Sequence, residues 1–221
     1  MPKPTAILLG GDRYHHAEEA FAGVGPALEA AGLTVEYTTD PTLIDTDHLS
    51  EKRLLCILRD GMEWPDGHEK PYEVWMKPHQ EQAIERFVAA GGAFMPLHNA
   101  GWAYPWQTDN GYRHVMGGYF QGHPAVLPFD VTVVNPDHPI TQGVEDYEIT
   151  DEQHFLWFDY DRVDLLLKSR GHDGRESAAG WAYTYGQGRV VYLANGHTLD
   201  ILQHPMVQRL LYNAARWVVG G

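Results

Sequence analysis

The run AFMPLHNAGW, residues 93–102, passes from apolar side chains straight into His98. The pattern recurs: GGDRYHH places His15 and His16 behind the run AILL, and NGHTLD places His197 behind RVVYLA. RDGMEW follows RLLCIL without a histidine, while TDEQH contributes Asp151, Glu152 and His154 from further along. Imidazole titrates near neutrality, so it can serve as general base, general acid or metal ligand. Two or three imidazoles with a carboxylate suit zinc or another divalent transition metal. The compact HExxH spacing is absent, so any metal would rest on residues gathered by folding. Each candidate also has a plain structural reading. His98 alone serves equally well as a core histidine bonded to backbone, and Gly196–His197 as a turn. His15–His16 would fit a helix start capped by Asp12, and Asp151–Glu152 a surface pair. The functional reading draws its weight from several such residues falling on one rim.

That rim requires an α/β fold. TAILLGG reads as a buried strand with a glycine turn, and AEEAFAGVGPALEAAG as a helix stopping at Gly32. LTVEYTTD alternates with period two, KRLLCILRD is a third strand, and AFMPLHNA a fourth. Between the last two, KPHQEQAIERFVAAGG is an amphipathic helix carrying Ile84, Phe87 and Val88 on one face. This strand–helix order argues for a parallel sheet covered by helices, in which ligands bind beyond the carboxyl ends of the strands. From about Trp102 to Pro128 the chain is a decorated connection, with a short helix expected at NGYRHVMGG. PFDVTVVN is a strand, DHPITQGV a turn and loop, and YEITDEQHFLWF one further strand leading into a site loop. VDLLLKS, SAAGWAYTY and RVVYLANG complete the strands, with Gly186–Gln187–Gly188 as a hairpin turn. TLDILQHPMVQRLLYNAARWVV closes the chain as one helix, and residues 1–221 read as a single domain.

The bulk composition narrows the partners. Hydrophobic content of 43% and charged content of 21% are ordinary for a globular domain. A formal charge of -14 disfavours nucleic acid and anionic membrane surfaces, which repel an acidic protein. No run approaches the roughly 18 apolar residues of a bilayer span, and no signal peptide is evident, so a cytoplasmic location is expected. The single cysteine, Cys56, lies in RLLCIL and is expected to pack rather than react. Trp102, Tyr104, Trp106, Tyr119 and Trp157 offer flat apolar faces suited to sugar rings or to loop packing. A homo-oligomer is expected from base rates alone.

Taken in order, LLGGDRYHHAEEA, GGAFMPLHNA, YFQGHPAV, NPDHPITQGV, TDEQHF and GWAYTYGQGRVVYLANGHTLD resemble the trehalose-utilisation (ThuA-like) family from about Ile7 to Trp217. The resemblance implies a flavodoxin-like, class I glutamine amidotransferase-like fold: a doubly wound, mostly parallel sheet with a decorated second half. Amidotransferases of that fold carry a cysteine nucleophile at the strand-to-helix elbow. Here that place falls to His98 and Cys56 lies on another strand, so a thioester route from glutamine is closed. The family's association with trehalose and 3-keto-sugars implies a carbohydrate-processing protein acting on a disaccharide, glycoside or 3-keto-glycoside by histidine acid–base chemistry. A non-catalytic sugar-binding accessory protein, or a metal-dependent hydrolase of another small substrate, are the alternatives. Carried over position by position, the resemblance implies His15, His98, Glu152 and His197 as catalytic residues. Asp12, Asn99, Trp102, His123, Asp151 and His154 are the candidate substrate contacts. No cofactor is fixed; a divalent metal such as zinc would draw on His15, His98, His154 and His197. Where that family often carries tyrosine after its Asp–Glu pair, this chain has His154, which adds a ligand or base or reshapes the pocket wall. His16 stands where aspartate is frequent, leaving the roles of His15 and His16 open.

Overall fold

The computed structural model describes residues 3–65, 72–102 and 111–220. Its strands are β1 (Thr5–Gly10), β2 (Thr34–Thr38), β3 (Leu54–Leu58), β4 (Met62–Glu63), β5 (Glu73–Val74), β6 (Ala93–Pro96) and β7 (Gly118–Gly122). There follow β8 (Leu127–Val133), β9 (Tyr147–Asp151), β10 (Phe155–Phe158), β11 (Asp164–Gly171), β12 (Glu176–Tyr185) and β13 (Gly188–Leu193). Nine of them form one sheet in the order β9-β8-β11-β12-β13-β6-β3-β1-β2. The five from β13 to β2 run parallel, and β12, β11, β8 and β9 extend the sheet antiparallel. The flavodoxin-like parallel half and the decorated second half expected from the sequence are therefore both present.

Residue type explains the layering. β3 and β6 are apolar and buried at every position, as strands covered on both faces must be. β2 is an edge strand and only half buried. The helices are α1 (Ala17–Ala30), α2 (Thr46–Ser50), α3 (Pro78–Ala89), α4 (Gly111–Met116), α5 (Leu199–Leu202) and α6 (Pro205–Val218). α1 packs with α5 and α6 as one layer, and α3 with α2 and α4 as another. α6 buries Val207, Leu210, Leu211, Ala214, Ala215 and Val218, one stripe at helical spacing.

Two expected elements divide. The closing helix breaks at His204, because Pro205 has no amide hydrogen for a helix interior; it opens α6 instead, with His204 Nδ1 accepting the Met206 N–H at 3.3 Å. YEITDEQHFLWF is two strands: β9 belongs to the large sheet, whereas β10 pairs with β7 in a separate ribbon. The bend between them is residues 152–154, the segment that carries Glu152 and His154. DHPITQGV contains a 3-10 turn, Pro139–Thr141. Gly186, at φ 59, makes the two-residue hairpin turn; a Cβ there would lie 2.7 Å from the Ala89 backbone.

Trp181 on β12 is fully buried, stacks on Tyr192 and donates its indole N–H to the Met116 carbonyl at 2.8 Å. It joins the antiparallel half to α4. Trp181→Ala is expected to cost about 3–5 kcal/mol, read as a lower denaturant midpoint with unchanged slope.

Candidate functional site

The parallel strands β1, β3, β6 and β13 all end at one rim, and the order β6-β3-β1-β2 reverses direction between β3 and β1. His98 stands one residue beyond Leu97, which bridges to Leu193. At φ 46 it is the one non-glycine residue with positive φ among the described residues, a conformation costing on the order of 1–3 kcal/mol. Its Nδ1–H donates to the Ala194 carbonyl at 2.7 Å, and its own carbonyl accepts from the Tyr192 hydroxyl at 2.8 Å. The neutral ring therefore keeps its lone pair on Nε2, which is buried and makes no hydrogen bond.

His15 is held the same way. Its Nδ1–H faces the Asp12 carboxylate at 3.0 and 3.1 Å, so the Nε2 lone pair points away, 3.1 Å from His197 Nδ1. Asp12 is no helix cap, since α1 starts after His16 without a side-chain cap. Its buried carboxylate accepts the N–H groups of Tyr14, His15 and Asp60 and the Asn99 amide. Asp12 and Asn99 thus orient His15. His16 is not among the clustered donors, whereas His15 is.

Alternation over 151–154 distributes the next residues. Gln153 turns to Ser169 Oγ and the Arg175 carbonyl, while Glu152 and His154 face the rim together. Asp151 accepts the Gly196 N–H at 3.0 Å and so fixes the turn carrying His197; it is 1% exposed and braces the site from beneath. Glu152 Oε2 lies 3.4 Å from His98 Nε2 and 3.5 Å from His197 Nδ1.

His15, His98, Glu152 and His197 each offer one ligand atom within 4.8 Å of the others. A tetrahedron of 2.0–2.1 Å zinc bonds has edges of about 3.3–3.4 Å, close to the 3.1, 3.4 and 3.5 Å of the His15–His197, His98–Glu152 and His197–Glu152 pairs. The donor set fits zinc, and both Nε2 lone pairs are preset by hydrogen bonds at Nδ1. The quartet differs from the expected ligand set in one member. His154 stacks on His98 at 4.1 Å with its Nε2 3.6 Å from Glu152 and is not one of the four grouped donors, among which the carboxylate stands instead.

Electrostatics follow from this crowding. Burial works against a charge on Glu152, but His154, His98 and His197 overcome it and hold the carboxyl far below its usual range. Burial would also lower His98, yet Glu152 and Asp151 prevail and raise it. Burial, then His98, press His154 down to about 3, so it is uncharged at neutrality. An unfolded chain would protonate His154 near its ordinary 6.5, and the native protein does not until about 3. In metal-free protein this residue therefore removes stability as pH falls through that window. His154→Phe is expected to flatten the loss, seen as a smaller drop in urea midpoint between pH 7 and pH 5.

Beside the quartet opens a cavity of about 550 Å³, walled by Tyr14, Asp60, Phe120, His123, Glu152 and His154 among others. Its volume suits a small sugar. His123 Nδ1–H donates to the Pro124 carbonyl at 2.8 Å, leaving the Nε2 lone pair 3.7 Å from Glu152 Oε1. The aromatic wall differs from expectation. Trp157 and Tyr119 stack on each other beneath Arg113, away from the cavity, because register places them on the face of the β7–β10 ribbon opposite Phe120. The side chain of Trp102, with Tyr104 and Trp106, lies outside the described residues. Asp60 and Phe120 were missed at the level of sequence. Asp60 had a visible signal, its place two residues beyond β3; Phe120 had none. Cys56 is fully buried on β3, and burial pushes its thiol well up.

A family profile described as trehalose utilisation, ThuA, matches residues 6–218. No curated protein matches the chain at a significant level. Among solved structures, a ThuA-like protein from Parabacteroides merdae superposes with a TM-score of 0.75 at 16% identity, covering 99% of this chain and 90% of its own. One from Bacteroides uniformis gives 0.73 at 20%, covering 98% and 91%. A β-galactosidase from Rahnella sp. R3 gives 0.61 at 15%, with 96% of this chain matching 30% of the enzyme. At these identities the structural matches speak to fold.

Proposed function

The chain belongs to the trehalose-utilisation (ThuA) family, and on that footing we propose that it processes a disaccharide, glycoside or 3-keto-glycoside at the rim cavity, with His15, His98, Glu152 and His197 holding a divalent metal such as zinc. The observation that carries this reading is the quartet itself: four donors within 4.8 Å of one another, two with preset lone pairs, beside a sugar-sized cavity. A 3-keto-glycoside is the substrate that best uses it. A ketone at C3 acidifies the C2 proton, and loss of that proton allows the substituent at C1 to leave. Bound zinc would supply Lewis acidity at the ketone oxygen. His123 Nε2, its lone pair free at the cavity wall, takes the C2 proton. Asp12 and Asn99 hold His15 in register, and Asp151 does the same for the turn of His197. Phe120 closes one side of the cavity with an apolar face.

The test combines elemental analysis of purified protein with product release from 3-keto-trehalose and methyl 3-keto-glucoside, with and without chelator. Stoichiometric metal and turnover that chelation abolishes and zinc restores are expected. Saturable binding without turnover would instead assign the accessory sugar-binding role. Turnover by metal-free protein would remove the metal from the reading.

A further inference from the structure

Asp60 is a carboxyl group with no assigned task, yet it lines the same cavity. It lies two residues beyond β3, on the rim where the sheet reverses direction. Three hydrogen bonds fix it. Its N–H donates to Asp12 Oδ2 at 3.0 Å, its carbonyl accepts the Trp75 indole N–H at 2.6 Å, and its Oδ1 accepts the Met62 N–H at 2.8 Å. Oδ2 accepts no hydrogen bond among the described residues. The residue is 2% exposed, so the carboxyl meets its surroundings through the cavity.

Among the described residues no cation pairs directly with its carboxylate, although the Arg59 charge works to lower it. The adjoining Arg59 turns its guanidinium to the Gly11 and Thr39 carbonyls and to Glu63. The facing charge from β1's loop is the Asp12 carboxylate, and Tyr14, His15, His123, Glu152 and His154 are the other ionisable residues of the cavity wall.

We propose that Asp60 is the proton donor to the departing glycosidic oxygen, the acid that complements His123 in the elimination; this rests on the reading above. In that step the C2–H bond breaks, its proton passes to His123 Nε2, and its electron pair forms the C1–C2 double bond. The C1–O bond breaks with its pair remaining on oxygen, and the Asp60 Oδ2–H proton bonds to that oxygen. The alcohol leaves, and solvent returns the carboxylate and imidazolium to their starting forms. Burial, and then the Asp12 carboxylate, push the Asp60 carboxyl up to about 7, so it holds a proton in the neutral range and can release it.

The leaving group provides the test. Wild-type holoprotein and Asp60→Asn are compared on methyl 3-keto-glucoside, whose alkoxide needs a proton, and on 4-nitrophenyl 3-keto-glucoside, whose phenolate does not. Asn retains an acceptor for the Met62 N–H, and zinc content with thermal midpoint checks that the variant is folded and loaded. The expected result is a kcat loss of about 10²–10⁴-fold on the methyl glycoside and only a few-fold on the nitrophenyl one. The alkaline limb of the wild-type methyl-glycoside profile should vanish in the variant. Equal losses on both substrates, or none on either, overturn the assignment to Asp60 while leaving the metal reading standing. Wild-type protein that turns over neither glycoside ends that reading and this proposal with it.

Discussion

His98→Ala is expected to weaken zinc binding by roughly two to three orders of magnitude, the share of one ligand in a four-ligand site worth some 10–16 kcal/mol. The residue also has a structural task, its bond to the Ala194 carbonyl, so the thermal midpoint is measured alongside to separate lost affinity from lost fold. Its Nδ1 is committed to the Ala194 carbonyl and its Nε2 is buried without a hydrogen bond, facing Glu152, His15 and His197. Alanine leaves three donors and a gap where the imidazole stood. Asp12→Asn should cost less, about 10–100-fold, because it loosens the orientation of His15 and leaves every ligand in place. His172→Ala, at an exposed pair with Glu148, should change nothing. Competition titration against a chromophoric chelator measures all three. Affinity should also fall in acid, since the carboxylates raise His98 and its Nε2 must lose a proton before it can ligate. Wild-type affinity in His98→Ala would remove the quartet as a metal centre.

The second large effect concerns turnover at full metal occupancy. His123→Ala is expected to lower kcat on methyl 3-keto-glucoside by about 10²–10⁴-fold while zinc content and stability stay near wild type. The side chain is 37% exposed at the cavity mouth, and its loss opens no buried void. Its Nε2 lone pair, set by the Nδ1–H bond to Pro124, is what the variant removes. Exchange of the C2 hydrogen with deuterated solvent isolates the step: it should be fast in wild type and nearly absent in the variant. Unchanged exchange would assign proton abstraction elsewhere.

Much of the frame was readable from residue order. β3 and β6 announce themselves as unbroken apolar runs, and α3 by Ile84, Phe87 and Val88 at helical spacing, because burial on two faces or on one stripe leaves a local pattern. His15, His98 and His197 were reachable too, since a parallel sheet carries every strand end to one rim. The break at Pro205 was also local, but the apolar stripe continuing past it masked the signal.

Other decisions depended on distance in space. That Glu152 and His154 both face the rim turns on Gln153 bonding to Ser169 and Arg175, residues far along the chain. That Asp12 is held against His15 rather than capping a helix follows from donors arriving from Asn99 and Asp60. Trp157 leaves the cavity to Phe120 through the pairing of β7 with β10. The sequence alone therefore determined the sheet, its covering helices and the rim on which polar residues gather, all products of short-range periodicity. The placement of each polar side chain within the cluster, beneath it or along the cavity was decided by tertiary structure, because hydrogen-bond partners and lone-pair directions exist only once separate segments meet.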